Sequence, residues 1–223
     1  MKLKNTFRES GKLFRDVMVV VIGIAITLSL NNWMDIKKEK KDVQHYLNAL
    51  KMELEDNLKQ IEKITNYYKE AMDFCDYLNA YKPEDYQTDS IVKYNWILSG
   101  TYLFTYNTSA FEMLKISGAM RLMKNKALIT TIWRTYQRLD FLKIANEGYM
   151  QRKTNEMYHY WMNSDGINEH TPRDLANSLR VPEVKRYLSF FKIQTSSSTY
   201  HQFLDIAEQI KNTIEEIENQ KSF

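Results

Sequence analysis

The chain has 223 residues, 26% of them charged, and a formal net charge of +3. Five of its 31 basic residues and two of its 28 acidic residues fall within the first sixteen positions, so the remainder is formally neutral. Nucleic-acid binding depends on clustered Lys and Arg, and a neutral domain excludes that function class. Only six Gly and three Pro occur, which favours long helices over strands joined by turns.

The first element is an apolar run of fourteen uncharged residues at positions 17–30. As a helix it rises about 21 Å, less than the roughly 30 Å of hydrocarbon in a bilayer. Residues 31–34 complete the span, because Trp33 favours the membrane interface. We therefore predict a transmembrane helix at residues 16–34. Its characteristic positions are Val17, Val21, Gly23, Ile26, Leu30, Asn31, Asn32 and Trp33.

Two other interpretations of this run are weaker. A cleaved signal peptide needs small residues at its exit, and residues 29–33 (Ser-Leu-Asn-Asn-Trp) offer a poor cleavage site. A buried core helix that is apolar on every face needs a large protein around it. An uncleaved anchor is therefore favoured.

The charges flanking the span predict its orientation. The tail at residues 1–15 carries five basic residues, whereas four lysines follow the span: Lys37, Lys38, Lys40 and Lys41. Basic residues are retained in the cytoplasm, and a short tail is more easily kept there than translocated. We expect a cytoplasmic amino terminus and a domain, residues 35–223, on the far side of the membrane.

A seam of apolar positions three and four apart then runs from Leu47 to Leu78, which is coiled-coil spacing. It predicts that the anchor continues as a stalk helix over about residues 35–80, ending before Pro83. Additional apolar positions widen the seam, which suits an antiparallel helical bundle. Only Asn57 interrupts the seam. It either fixes the register of helices in an oligomer or lies at the edge of the seam, and a position at the edge is favoured.

Further helices follow the stalk. A second is expected from Asp89 or Ser90 towards Gly100, and a third begins with a capping box formed by Ser109 and Glu112 and ends at Gly118. A fourth starts near Asn125 and extends to about residue 161.

The carboxy-terminal part contains two more predicted helix starts. The pair Thr171-Pro172 begins one helix and Pro182 opens the last element. Apolar residues from Phe203 to Ile217 predict a long final helix that pairs with the first, with a possible interruption at residues 196–198. The fold class expected is all-α.

Catalytic and metal-binding patterns are missing from the sequence. The four histidines do not stand at His-x-x-x-His or Cys/His metal spacing, and Gly-rich phosphate loops and the Gly-x-Ser-x-Gly elbow do not occur. A di-metal carboxylate bundle needs two Glu-x-x-His pairs, and a single one occurs, at Glu156 and His159. The single cysteine, Cys75, lies on the seam, where a small buried hydrophobe is the usual role. We predict no catalytic residue, no cofactor and no metal, and hence a non-enzymatic protein.

An aromatic run from Trp96 to Tyr106 is the one candidate binding surface. A partner or ligand groove would use Trp96, Tyr102, Phe104 and Tyr106. The alternative, which has more weight, is that these rings fill the bundle core with their polar tips hydrogen-bonded.

Two blocks of sequence resemble a known family. Residues 20–26 (Val-Val-Ile-Gly-Ile-Ala-Ile) with Leu30-Asn31-Asn32-Trp33 are similar to the span of a family of uncharacterised single-pass membrane proteins of Bacteroidota. Residues 108–118 are similar to its second block, and residues 124–128 open the next helix. The resemblance implies an inner-membrane anchor with an α-helical periplasmic domain, and it brings no activity. Arg15-Asp16 departs from the usual Gly-Glu pair before the span.

Two functional hypotheses follow. The first is an interaction protein, an accessory or scaffold subunit of an envelope complex. Its partners would be the lipid bilayer and either other envelope proteins or further copies of itself. The second is a sensor-like module that binds a small ligand between its helices. The first is favoured, because a fifteen-residue tail is too short to be a cytoplasmic signalling domain.

Overall fold

The computed structural model describes residues 3–94, 96–97, 100–163, 171–180 and 197–220. Over these residues the chain is helical and contains no strand, in agreement with the predicted all-α class. The described elements are α1 (Leu3–Ala80), a 3-10 turn (Pro83–Asp85), α2 (Thr88–Lys93), α3 (Ser109–Ile116), α4 (Ala119–Leu122), α5 (Lys126–Asn163), α6 (Pro172–Ser178) and α7 (Ser197–Asn219).

Helix α1 is one continuous helix of 78 residues. It contains the apolar run and continues into the domain, ending at Ala80, before Pro83 as predicted. An 18-residue window near its amino terminus has a mean hydropathy of 1.9, and no part of that window is buried in the chain. By length and composition, this part of α1 can cross a membrane.

The hydrophobic core begins at Val43, the first buried residue of the described part of α1. The predicted seam then forms the buried face of the helix. Its buried apolar members include Leu47, Leu50, Leu54, Ile61, Ile64, Tyr68, Ala71 and Cys75. The interruption at Asn57 is also buried, so this residue lies within the seam rather than at its edge.

Helices α5 and α7 supply most of the remaining core. Helix α5 buries Leu128, Ile132, Tyr136, Leu139, Leu142 and Tyr149, and α7 buries Phe203, Ile206, Ile210 and Ile217. The Phe203 ring stacks on Tyr68 with centroids 5.7 Å apart, and Lys51 Nζ contacts Glu218 Oε1 at 2.5 Å. The predicted pairing of the last helix with the first is confirmed.

The second helix is shorter than predicted. Helix α2 ends at Lys93, because the Tyr94 N–H bonds to the Ile91 carbonyl, only three residues back. Helical backbone resumes at Trp96 and Ile97. The chain is then irregular over residues 100–108, which we call the strap.

Other predicted helix boundaries agree with the structure. Gly118 follows α3 with φ +73°, the left-handed conformation expected there. Asn125 Oδ1 accepts the Leu128 N–H at 3.0 Å, which satisfies a free donor at the start of α5. Thr171 and Asp174 form a reciprocal pair of bonds at the start of α6. The element predicted at Pro182 lies outside the described residues.

Candidate functional site

The predicted anchor residues are all exposed on α1, from Val17 to Trp33. Large apolar side chains are exposed around the whole circumference of this segment, including Val19, Val20, Val21 and Ile22, which at 100° per residue point to four different sides of the helix. No other described element covers them. This part of the chain therefore presents an uninterrupted apolar cylinder to its surroundings.

The end of the apolar cylinder has the residues typical of a membrane interface. Lys37 Nζ lies 5.3 Å from the centre of the Trp33 ring, so a positive charge accompanies the aromatic side chain. From Met34 to Val43, where the core begins, the helix rises about 13 Å. This distance separates the folded domain from the predicted span by about twice the thickness of a headgroup layer.

The strap lies between α1 and α5, and its side chains alternate in exposure. Tyr102, Phe104 and Tyr106 face the core, whereas Leu103 and Thr105 are exposed. This period of two is the pattern of an extended chain. The aromatic residues predicted as a binding surface are thus spaced so that three of them share one face.

The four candidate aromatic residues form two groups in the structure. Trp96, which is 42% exposed, and Tyr102 both pack on Tyr67, with ring centroids 5.5 and 5.7 Å away. Phe104, only 1% exposed, packs edge-on against a core phenylalanine of α7 and stacks on Tyr106. Their rings therefore contact one another and the long helices, and the binding surface stays a prediction.

Tyr106 carries a polar tip towards α5. Its hydroxyl donates to Asp140 Oδ1 at 3.3 Å. Burial, together with the nearby carboxylate, raises the pKa of Tyr106 to about 12. The phenol therefore stays protonated and can keep donating throughout the physiological pH range.

Four buried polar side chains from α1 and α5 bind the backbone at and around the strap. At its start, Lys153 Nζ donates to the carbonyls of Ile97, at 2.5 Å, and Gly100, and contacts Tyr67 Oη at 3.1 Å. Lys153 is 1% exposed, and this burial lowers its pKa to about 7. Two backbone carbonyls thus have a donor inside the core.

Two asparagines hold the middle of the strap. Asn146 Oδ1 accepts the Phe104 N–H at 2.7 Å, and its Nδ2 donates to Tyr68 Oη at 3.3 Å. Asn57 holds both backbone groups of Asn107, accepting its N–H at 2.7 Å and donating to its carbonyl at 2.9 Å. An amide side chain thereby replaces the neighbouring strand that an extended segment usually requires.

A carboxylate fixes the far end of the strap. Glu53 accepts the N–H groups of Ala110, at 2.6 Å, and Phe111, at 3.3 Å, in the first turn of α3. It also accepts the hydroxyl of Tyr136 at 2.5 Å, and burial beside this carboxylate raises the pKa of Tyr136. The positive end of a helix favours a carboxylate, so Glu53 caps α3 from another helix.

The predicted capping box at α3 is therefore wrong. Thr108 is the N-cap, without a side-chain bond to the helix; the Ser109 N–H bonds to Asn107 Oδ1, and Glu112 pairs with Lys115 at 2.8 Å. The box is not needed because Glu53 already satisfies two of the free donors in the first turn.

Sequence reasoning missed three of the four strap-binding residues. Asn57 was visible as the break in the apolar seam, but Glu53, Asn146 and Lys153 look like ordinary polar residues of long helices. Each bonds to backbone at least 42 residues away along the chain, so local spacing carries no signal of the contact.

A cleft of about 440 Å³ lies away from the aromatic residues. It is lined by Gln44, Asn48, Lys51 and residues 217–220, at the end of the core nearest the span. Over the described part of the chain, no group of His, Cys, Asp and Glu side chains is placed to hold a metal ion. The buried polar residues are occupied instead with backbone bonds.

The role of Asn57 can be tested by removing its amide. In Asn57→Leu, the Asn107 N–H and carbonyl lose their partner, so we expect the free energy of unfolding to fall by about 2–4 kcal/mol. Denaturant unfolding of the full-length protein in mild detergent measures the change. Asn48→Leu, an exposed asparagine on the same helix, should change stability by less than about 0.5 kcal/mol. Equal effects of the two substitutions would contradict the assigned role.

Lys153 should make stability depend on pH. The unfolded lysine keeps its proton to about pH 10.5, whereas the folded one releases it near pH 7, so the unfolded state binds more protons in between. The free energy of unfolding should therefore rise from pH 7 to 9 by up to about 1.4 kcal/mol per unit. Lys153→Met should lose this slope and Lys126→Met, at an exposed position of α5, should keep it. An unchanged slope in Lys153→Met would show that Lys153 is not the titrating group.

Comparison with known proteins gives a family and no activity. No curated protein and no solved structure matches the chain. A family model described as a family of unknown function (DUF6090) matches residues 16–168, which contain the span, the strap and α5 and stop before α7. The match covers more than half of the chain. The resemblance to an uncharacterised family is thus confirmed, whereas the assignment to Bacteroidota stays a prediction. The chain belongs to the DUF6090 family of unknown function.

Proposed function

We propose that this protein is a non-enzymatic helical interaction protein held in the bacterial inner membrane by a single span, serving as an accessory or scaffold subunit of an envelope complex. The observation that carries this proposal is the exposed apolar cylinder at the start of α1, which is continuous with the stalk of a packed domain.

The energetics of the cylinder favour a bilayer around it. Burying one Val, Leu or Ile side chain stabilises by about 1.5–3 kcal/mol, and here such side chains lie on every face without a described partner. A bilayer covers all faces at once, and an α-helix satisfies its own backbone hydrogen bonds there. Several tens of kcal/mol of unfavourable hydration are avoided in this way.

The proposed orientation places the amino terminus in the cytoplasm and the domain in the periplasm. Its support is the excess of positive charge in the short tail at residues 1–15, which a translocated tail would have to carry across the membrane. The neutral charge of the remaining chain is compatible with export.

We further propose that the domain is an antiparallel bundle with an unusual second element. Lys51 meets Glu218 and Tyr68 meets Phe203, so α7 runs opposite to α1. Glu53 meets Tyr136 and Tyr67 meets Lys153, which gives α5 the direction of α1. The strap descends between these two helices, where an up-down-up-down bundle has its second helix.

The hydrogen bonds of the buried polar side chains favour an interaction role over catalysis. Glu53, Asn57, Asn146 and Lys153 all bond to backbone at or beside the strap. Groups engaged in this way stabilise a fixed shape, which is what a scaffold requires. The exposed surface is then the part available to other molecules.

A pull-down from native membranes tests the proposal. The tagged full-length protein is extracted in mild detergent, and co-purifying proteins are identified by mass spectrometry. We expect the protein in the membrane fraction after a carbonate wash, together with a stoichiometric protein of the envelope.

A variant with Val21 and Ile24 both replaced by Arg disrupts the span. The matched control replaces the same two residues by Leu, which keeps the span apolar. Two arginines near the middle of the span raise the free energy of insertion by about 5–7 kcal/mol, so membrane retention and the co-purifying protein should both be lost. Wild-type protein that appears in the soluble fraction contradicts the anchor, and membrane-bound protein without any partner contradicts the scaffold role.

A further inference from the structure

The outer face of α5 carries an apolar stripe that no described element covers. Phe141 is 64% exposed and Ile144 is 60% exposed, and Ala145 and Gly148 beside them are exposed as well. The spacing of three, one and three residues places these four on one side of the helix, opposite the buried residues of α5. We call Phe141, Ile144, Ala145 and Gly148 the α5 stripe.

The two residues at the end of the stripe are small, which permits close approach of another helix. Nothing lies within 4 Å of the position that a Cβ on Gly148 would occupy. Exposed large apolar residues at helical spacing are typical of surfaces that bind another protein. The stripe therefore has the shape and the chemistry of one half of a helix–helix contact.

Opposite charges flank the stripe. A heptad register places Phe141 and Gly148 at a and Ile144 at d. Asp140 and Glu147 are then g positions on one flank of the stripe, and Arg152 is an e position on the other. All three are exposed. When two such helices lie side by side in the same direction, the acidic flank of one faces the basic flank of the other, as at the edges of a parallel coiled coil.

We propose that the α5 stripe binds the same stripe on a second copy of this chain, forming a parallel two-fold dimer in the membrane. The inference rests on the proposed membrane anchor, because two chains that leave one membrane in the same orientation present α5 in the same direction. The two-fold axis then runs along the membrane normal, and each stripe contacts its own copy.

The register of this dimer follows from the charges. In a parallel pair, a flanking residue faces the residue five positions later on the other helix, which matches Glu147 with Arg152 of the second copy. The two-fold axis repeats the pair on the other side. Glu147 also contacts Lys143 of its own chain at 3.5 Å.

The bilayer is not the occupant of the stripe, because the stripe lies too far from it. The bond between Tyr136 and Glu53 places these residues at one height, and Glu53 lies about 28 Å along α1 from Met34. Phe141 is about 7 Å further along α5. The resulting height of about 35 Å exceeds the thickness of a headgroup layer several-fold.

Confinement to the membrane compensates for the small contact area. A single helix stripe buries less than the roughly 1,200–2,000 Å² typical of stable soluble complexes. Anchoring both chains in one bilayer raises their effective concentration and makes such a contact sufficient. With neighbouring helices 8–10 Å apart, the two anchors would lie about 25–30 Å from each other.

Cysteine cross-linking in native membranes tests the dimer. The substitution Ile144→Cys is introduced into full-length protein in which Cys75, a buried residue, is replaced by Ala. The control Thr154→Cys lies on the same helix, at an exposed position on the flank that carries Glu147. The two-fold axis puts the two copies of this flank on opposite sides of the contact, so the two Sγ atoms would be too far apart to bond. We expect a disulfide-linked dimer of this chain at residue 144, at least about fivefold more abundant than at residue 154.

Charge reversal in two separate chains provides the decisive comparison. In the Ile144→Cys background, Glu147→Arg alone puts Arg against Arg across the interface, and Arg152→Glu alone puts Glu against Glu. Each should lower cross-linking several-fold. Co-expression of the two variants, with different tags, restores both opposite-charge pairs and should restore cross-linking between unlike tags. The contact between Lys143 and residue 147 is lost in the Glu147→Arg chain both when that chain is expressed alone and when it is co-expressed with Arg152→Glu. Loss of this contact therefore cannot explain a difference between the two experiments.

Each outcome separates this inference from the proposed function. Protein found outside the carbonate-washed membranes contradicts the anchor itself, and the dimer with it. Membrane-bound protein that cross-links equally at residues 144 and 154, shows no rescue, or forms its adduct with a different protein overturns the dimer alone and leaves the anchored scaffold standing.

Discussion

The domain depends on satisfying the backbone of a partly buried segment that is neither helix nor strand. The strap passes between α1 and α5, where water cannot reach all of its N–H and carbonyl groups. A buried backbone group without a partner costs about 1–3 kcal/mol, so several of them would offset much of the stability of a small domain. The side chains of Glu53, Asn57, Asn146 and Lys153 supply the partners instead.

This constraint explains why polar residues lie within apolar seams. Asn57 is 1% exposed and continues the buried face of α1, yet an apolar residue there would remove the side-chain partner of both backbone groups of Asn107. Lys153 occupies an equally buried position on α5, because two carbonyls point at it. The hydrogen bonds from these side chains also fix the position of the strap along α1 and α5. This position directs the Phe104 side chain into the core.

The long helices could be predicted from the sequence because their information is local. Apolar spacing identified α1, α5 and α7, and Pro83, Gly118 and Asn125 mark boundaries where the structure has them. The strap could not be predicted, because its contacts join residues 42 to 58 positions apart. The alternation of Tyr102, Phe104 and Tyr106 did indicate an extended chain, but helix periodicity on both sides obscured it. The capping-box pattern at Ser109 failed for a related reason, since a distant carboxylate had taken its place.

Hydrogen exchange at the strap tests this account most directly. Amide exchange of the full-length protein in mild detergent, followed by mass spectrometry with peptide resolution, reports the protection of the N–H groups of Phe104, Asn107, Ala110 and Phe111. The account predicts protection close to that of the buried turns of α1 and α5, although the segment has no regular secondary structure. Exchange as fast as that of an exposed loop, with α1 and α5 still protected, would show that the strap is not bound by Glu53, Asn57 and Asn146.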